Sequence, residues 1–98
     1  MVMIMPKRTD HNQAEIIQAL RSIGCSVQDL SQIGRGTPDL LCGYMNKNFV
    51  IEVKNCKDRA PRLTVCEEEW IRRWKGQVAV ITTIEDAIAI ILQDSLLD

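Results

Sequence analysis

Phe49-Val-Ile-Glu-Val-Lys54 is a stretch in which side chains alternate with the period of two that is typical of a β-strand. Phe49, Ile51 and Val53 share one face, which we expect to pack against a hydrophobic core. The opposite face carries Glu52 and Lys54. A surface ion pair contributes only about 0–1 kcal/mol to stability, so stability alone gives little reason to place this pair on so apolar a strand.

A further acid comes before this strand, in Gly34-Arg-Gly-Thr-Pro-Asp39. Pro38-Asp39 opens an apolar run over 40–42, and proline is tolerated at the first position of a strand because its missing N–H need not serve the ladder. The sequence therefore predicts a second strand that starts at Asp39.

These two strands can form a hairpin through residues 44–48. The face on which Asp39 lies depends on the turn: a turn around Asn46-Lys47 pairs Asp39 opposite Lys54 and would place Asp39, Glu52 and Lys54 on one face. Two neighbouring carboxylates repel each other unless something positive lies between them. The hairpin therefore predicts a site for a divalent metal ion.

Length and composition bound the rest of the chain. Its 98 residues, 46% hydrophobic and 26% charged, predict one globular domain over 1–98, with a core at about 12–92 and a lead-in at 1–8. No run approaches the roughly 18 apolar residues of a membrane span. Residues 1–5 lack the basic region and cleavage site of a secretory signal. We expect an intracellular, cytoplasmic protein.

The cysteines argue against a zinc site. The four of them, Cys25, Cys42, Cys56 and Cys66, form no C-x-x-C pair, and His11 is the only histidine. In a reducing compartment such residues are free thiols, some of them in the core.

The net charge of −1 argues mildly against a general nucleic-acid binder, but the charges are unevenly spread. The segment 54–62 carries four basic residues against one acid. A basic loop beside an acidic pair suits a phosphodiester substrate, although ordinary solvated loops carry such charges too. The candidate DNA-contacting residues are Arg35, Lys57, Arg59 and Arg62.

The pattern along the whole chain predicts the order α-β-β-β-α-β-α, an α/β domain with a mixed sheet flanked by helices. A capping box, Thr64-x-x-Glu67, opens the second helix. The other expected elements are a helix capped by Asp10 or Asn12 and ended by Gly24, strands at 25–31, 39–44 and 49–54, a buried strand at 77–82, and a helix at 84–92 capped by Thr83.

Phosphodiester hydrolysis needs a nucleophilic water, neutralisation of charge on the phosphate oxygens and help for the leaving oxygen. One or two Mg²⁺ ions can supply all three. Asp39, Glu52 and the backbone carbonyl of Val53 form a plausible cage. Lys54 could position or deprotonate the water, and Glu15, at the border of the first helix's apolar face, could bind a second metal ion.

Pro38-Asp39 followed after a gap by Glu52-Val53-Lys54 matches the PD-(D/E)xK nuclease signature. The order of elements around it resembles the VRR-NUC (virus-type replication-repair nuclease) family in its stand-alone phage and bacterial form, over roughly residues 12–92. The resemblance implies the nuclease-like sheet, metal binding at Asp39, Glu52 and the Val53 carbonyl, and catalysis by Lys54 with support from Glu15. Family members often have a glutamine where this chain has Glu67, so the resemblance implies no firm role for Glu67 in the site.

The function expected from this resemblance is that of a Mg²⁺-dependent DNA endonuclease, with Mn²⁺ able to substitute. It implies selectivity for branched DNA or four-way (Holliday) junctions in repair, replication or recombination. Junction resolution needs paired cuts, so we expect a homodimer. The alternatives are a nuclease-fold module that binds DNA without cutting it, and a sequence-specific restriction-type endonuclease.

Overall fold

The computed structural model describes residues 11–55 and 62–96. Its elements follow the predicted order α-β-β-β-α-β-α. They are α1 (His11–Ser22), β1 (Ser26–Asp29), β2 (Leu40–Tyr44), β3 (Lys47–Val53), α2 (Val65–Arg73), β4 (Ala79–Ile81) and α3 (Ile84–Leu96). The lead-in at 1–8, Asp10 and the loop residues Cys56, Lys57 and Arg59 lie outside the described residues.

The four strands form one mixed sheet in the order β1-β2-β3-β4. The pairs β1–β2 and β2–β3 are antiparallel, and β3–β4 is parallel. The predicted mixed sheet with flanking helices is confirmed at this level. None of the described helices is both long and apolar enough to cross a membrane.

The hydrophobic core lies between one face of the sheet and the helices α1 and α3. As the alternation predicts, Phe49, Ile51 and Val53 are all buried. Buried residues of both helices and of the neighbouring strands complete this core, namely Ile16, Leu20, Cys25, Leu40, Cys42, Ile81, Ala87 and Ile91. The predicted thiols Cys25 and Cys42 belong to it and are free, as is the exposed Cys66.

The hairpin register differs by two residues from the one that a turn around Asn46-Lys47 would give. Leu40 pairs with Ile51, and continuing this register places Asp39 opposite Glu52, not opposite Lys54. The reason is a tight two-residue turn at Met45-Asn46, where both residues take positive φ angles of 51° and 65°, as a type I′ turn requires. A slip of two residues keeps every side chain on its own face, so Asp39, Glu52 and Lys54 still share one.

Two local expectations are also corrected. β4 spans only Ala79–Ile81 and forms an edge of the sheet, so Val80 is 38% exposed and the strand is not buried throughout. Asn12 does not cap α1 but lies inside it. Its side-chain amide instead donates to the carbonyl oxygens of Lys54 and Thr82, contacts that anchor α1 to the ends of β3 and β4.

The predicted caps of the other helices are confirmed. Thr64 accepts from the Glu67 N–H while the Glu67 carboxylate accepts from the Thr64 N–H, a complete capping box. Thr83 accepts from the Asp86 N–H at the start of α3. Gly24 follows α1 with a φ angle of 103°, as a glycine that ends a helix does.

Candidate active site

The face of the sheet opposite α1 and α3 carries the charged residues of the predicted site. Asp39 is fixed at the start of β2 by two hydrogen bonds. Its backbone carbonyl accepts from the Leu30 N–H at 2.7 Å, and its carboxylate Oδ2 accepts from the Val53 N–H at 2.9 Å. The carboxylate therefore lies against the end of β3.

Glu52 is buried beside Asp39. Glu52 is only 2% exposed. Its Oε2 atom has no hydrogen-bond partner among the residues that the structure describes. Burial raises the pKa of Glu52 most. The hydrogen bond and negative charge of Asp39, together with Glu67, raise it further, to about 9. Glu52 thus holds a proton at neutral pH unless a cation takes its place.

The Val53 carbonyl belongs to the same corner of the site. The Lys54 N–H is directed at β4, where it donates to the Ile81 carbonyl, whereas the Val53 N–H is directed at Asp39. In an extended strand the N–H and C=O of one residue point to the same side. The Val53 carbonyl is therefore directed toward the side on which Asp39 lies.

Lys54 links the carboxylates to α2. Its Nζ lies 2.6 Å from Glu67 Oε1 and 3.9 Å from Glu52 Oε1. Burial acts to lower the pKa of Lys54, but the hydrogen bond and charge of Glu67, with the charges of Glu52 and Asp39, outweigh it and raise that pKa. The ammonium group is charged at neutral pH.

Glu67 is a site residue to which sequence reasoning gave no role. The capping-box spacing locates it at the start of α2, but its contact with Lys54 joins residues that are 13 positions apart. Burial acts to raise the pKa of Glu67, and the Lys54 ammonium and the Thr64 N–H reverse the effect, so the pKa is lowered. One carboxylate therefore caps the helix and orients the lysine.

The remaining candidates that the structure describes are exposed. Glu15 is exposed, about one helical turn beyond Asn12, the residue through which α1 touches Lys54. Its metal-binding role stays a prediction. Arg35 and Arg62 are exposed, while Lys57 and Arg59 are outside the described residues. Sequence reasoning did not predict the contacts of Asn12 with Lys54 and Thr82, because these partners are 42 and 70 positions away.

The donor set fits a hard divalent cation. Among the described residues no group of three or more His, Cys, Asp or Glu is arranged to hold a metal ion. Mg²⁺, however, is commonly bound by one or two carboxylates and several waters. Asp39, a buried Glu52 oxygen without a described partner and the Val53 carbonyl supply oxygen ligands alone, the type that this ion prefers.

Comparison with protein-family models, curated proteins and solved structures found no match for this chain. The resemblance to the VRR-NUC family therefore rests on the residues of the signature and on the order of elements around them.

Proposed function

We propose that this chain is a metal-dependent endonuclease that hydrolyses phosphodiester bonds in DNA, with a PD-(D/E)xK nuclease fold of the VRR-NUC type. One observation carries the proposal. Asp39 and Glu52 lie opposite each other, and the buried Oε2 of Glu52 has no partner among the described residues. Burying a carboxyl group in this way costs free energy, which a structural role for the residue does not explain.

Asp39, Glu52 and the Val53 carbonyl hold the cation. A bound Mg²⁺ or Mn²⁺ ion polarises a phosphate oxygen and lowers the pKa of a bound water. The pKa of Lys54 is raised in the metal-free protein, which supports a role for its ammonium as a donor to a phosphate oxygen or to the attacking water. Glu67 keeps that ammonium in place through their 2.6 Å contact.

The proposed substrate is DNA with a branch or four-way junction, cut during repair, replication or recombination. Arg35, Arg62 and the basic residues Lys57 and Arg59 contribute positive charge for the phosphate backbone. A symmetric homodimer supplies the two centres that paired cuts require.

The experiment is cleavage of a DNA panel (single strand, duplex, flap and four-way junction) with Mg²⁺ and with Mn²⁺. We expect junction cutting that falls at least about a hundredfold in Asp39→Ala and Lys54→Met. Glu68→Gln is the matched control, because Glu68 is an exposed acid beside Glu67 that has no place in the site.

Other outcomes of this experiment would favour the alternative functions. DNA binding without metal-dependent cutting would favour the binding module. Cutting that follows base sequence and not DNA shape would favour the restriction type. Equal cutting of every DNA in the panel would refute selectivity for branched DNA and leave the nuclease proposal standing.

A further inference from the structure

α2 is the only described helix that contributes no residue to the hydrophobic core. Both tryptophans of the chain nevertheless lie at its C-terminal end, Trp70 in the helix and Trp74 as its cap. Trp70 and Trp74 stack on each other with their ring centroids 4.6 Å apart and their planes 18° apart. Trp74 is 48% exposed and Val65 is 82% exposed. A large apolar surface left open in this way marks a site of interaction.

A groove of about 520 Å³ runs along this surface. Its walls combine the two indole rings with guanidinium groups, and it is lined by Arg35, Val65, Cys66, Glu69, Trp70, Arg73 and Trp74. We name this surface the tryptophan groove. Arg35 comes from the glycine-rich loop before β2, and the other lining residues come from α2 or its C-terminal cap.

The charge of the tryptophan groove favours an anionic occupant. Glu69 is its one acidic lining residue, and its Oε1 atom lies 2.6 Å from Arg72 and 2.8 Å from Arg73. Two guanidinium groups, those of Arg35 and Arg73, line the groove against this one carboxylate, which Arg72, outside the lining, also pairs. A second copy of the chain would bring identical surfaces together across a two-fold axis, and these positive groups would face each other.

We propose that the tryptophan groove binds single-stranded nucleic acid by stacking an unpaired base on Trp74 while Arg35 and Arg73 hold the flanking phosphates. Aromatic side chains interleaved with arginines are how proteins hold single strands without reading their sequence. The choice of nucleic acid as occupant rests on the proposed function.

The position of the groove suits a strand that continues into the catalytic site. Glu67, on the first turn of α2, contacts Lys54, and Trp74 lies seven residues further on. That separation is about 10 Å along the helix, which is about three stacked nucleotide steps of roughly 3.4 Å. A branched substrate could thus leave its unpaired strand on α2 while the scissile phosphate lies at the carboxylates.

The test is titration of the full chain with a short oligothymidylate in buffer containing a chelator, so that no cleavage occurs. We expect the oligonucleotide to quench tryptophan fluorescence, and Trp74→Ala to weaken its binding by roughly tenfold, as loss of one stacking platform does. Trp74→Tyr should restore most of the affinity. Arg73→Ala should weaken binding more than Arg21→Ala, since Arg21 is an exposed arginine on α1, across the sheet from α2.

Three results would overturn the inference. The first is equal oligonucleotide affinity of Trp74→Ala and the wild type, and the second is equal quenching by heparin, a polyanion without bases. The third is a Trp74→Ala variant that changes the sedimentation of the free protein but not its binding of the oligonucleotide. Because no metal is present, the test is separate from the nuclease proposal. Oligothymidylate binding in the chelator, with no cleavage of any DNA in the panel when Mg²⁺ or Mn²⁺ is supplied, would sink the nuclease proposal alone. Junction cutting that Trp74→Ala leaves unaffected, with no quenching by oligothymidylate, would sink this inference alone.

Discussion

Glu52 carries an electrostatic conflict in the metal-free protein. It is buried beside Asp39, and its pKa is raised from 4.5 to about 9. An acid whose folded-state pKa lies above its unfolded-state value binds its proton more tightly when folded. Its contribution to stability is therefore complete below about 4.5 and is lost as the pH rises toward about 9.

This conflict predicts the pH dependence of stability. Glu52→Gln removes the titrating group, so without metal we expect the variant to be more stable than the wild type above neutral pH, with a flatter stability profile between pH 5 and 9. Urea unfolding followed by circular dichroism in the presence of a chelator measures this. Glu68→Gln is the control for loss of an exposed acid on the surface. Parallel profiles for Glu52→Gln and the wild type would contradict the buried, proton-bound state of Glu52.

The residues of the site differ in how well the sequence could predict them. Strand alternation and one hairpin suffice to predict that Asp39, Glu52 and Lys54 lie together, because both are local features of the sequence. Glu67 and Asn12 could not be predicted as contacts of Lys54, because those contacts depend on how whole helices pack against β3. Local spacing predicted a helix-capping role for each of them. Glu67 has this role in addition to its contact with Lys54, whereas Asn12 does not cap a helix.

At the scale of elements, the glycine-rich loop fixes where α2 starts. Gly36 has a φ angle of +80°, and a Cβ atom added there would overlap the Cys66 carbonyl and lie 2.9 Å from the Glu67 nitrogen. The loop before β2 therefore packs backbone to backbone against the first turn of α2. This contact keeps Glu67 beside Lys54.

Gly34 offers a matched comparison for this contact. It has the same φ angle of +80°, but nothing lies within 4 Å of an added Cβ. Gly34→Ala should cost only the left-handed backbone strain, about 1–2 kcal/mol. Gly36→Ala should cost clearly more, and should also lower DNA cleavage because Glu67 moves. Urea unfolding and cleavage assays of the two variants test this, and equal losses of stability would show that the close approach to α2 is unimportant.

Element boundaries were predicted less well than element types. β4 was expected over 77–82 and spans only Ala79–Ile81, since a valine- and isoleucine-rich run does not reveal that the strand lies at an edge. The sequence left the hairpin register open, and the register depends on a turn in which Met45 adopts a positive φ. Sequence gives no reason to expect this of methionine, which is rarely found there.

For the whole molecule, cation binding and folding should be coupled. A ligand that binds only the folded state stabilises it in proportion to the logarithm of its concentration above Kd. We expect Mg²⁺ or Mn²⁺ to raise the melting temperature of the wild type by several degrees. The same ions should leave the melting temperature of Asp39→Ala unchanged. An equal rise in both proteins, measured by thermal unfolding followed by circular dichroism, would mean that these ions act elsewhere.

The architecture was predictable because the sequence signals agree with one another. Helical spacing, capping residues and strand alternation together identify the seven elements, and consistency of this kind is what makes a sequence specify one fold. The role proposed for α2 was not predictable, because in the sequence Trp70 and Trp74 look like those of any amphipathic helix that covers a core.

The tight turn at Met45-Asn46 has a kinetic consequence. Asp39 and Val53 are only 14 positions apart, so the proposed cation ligands assemble on a single hairpin. Hairpins form in about 1–10 μs, long before distant elements such as α1 and α3 need to meet. We therefore expect the proposed ligand cluster to form early and locally in folding. Ions present during synthesis would then favour the nascent sheet before the core is closed.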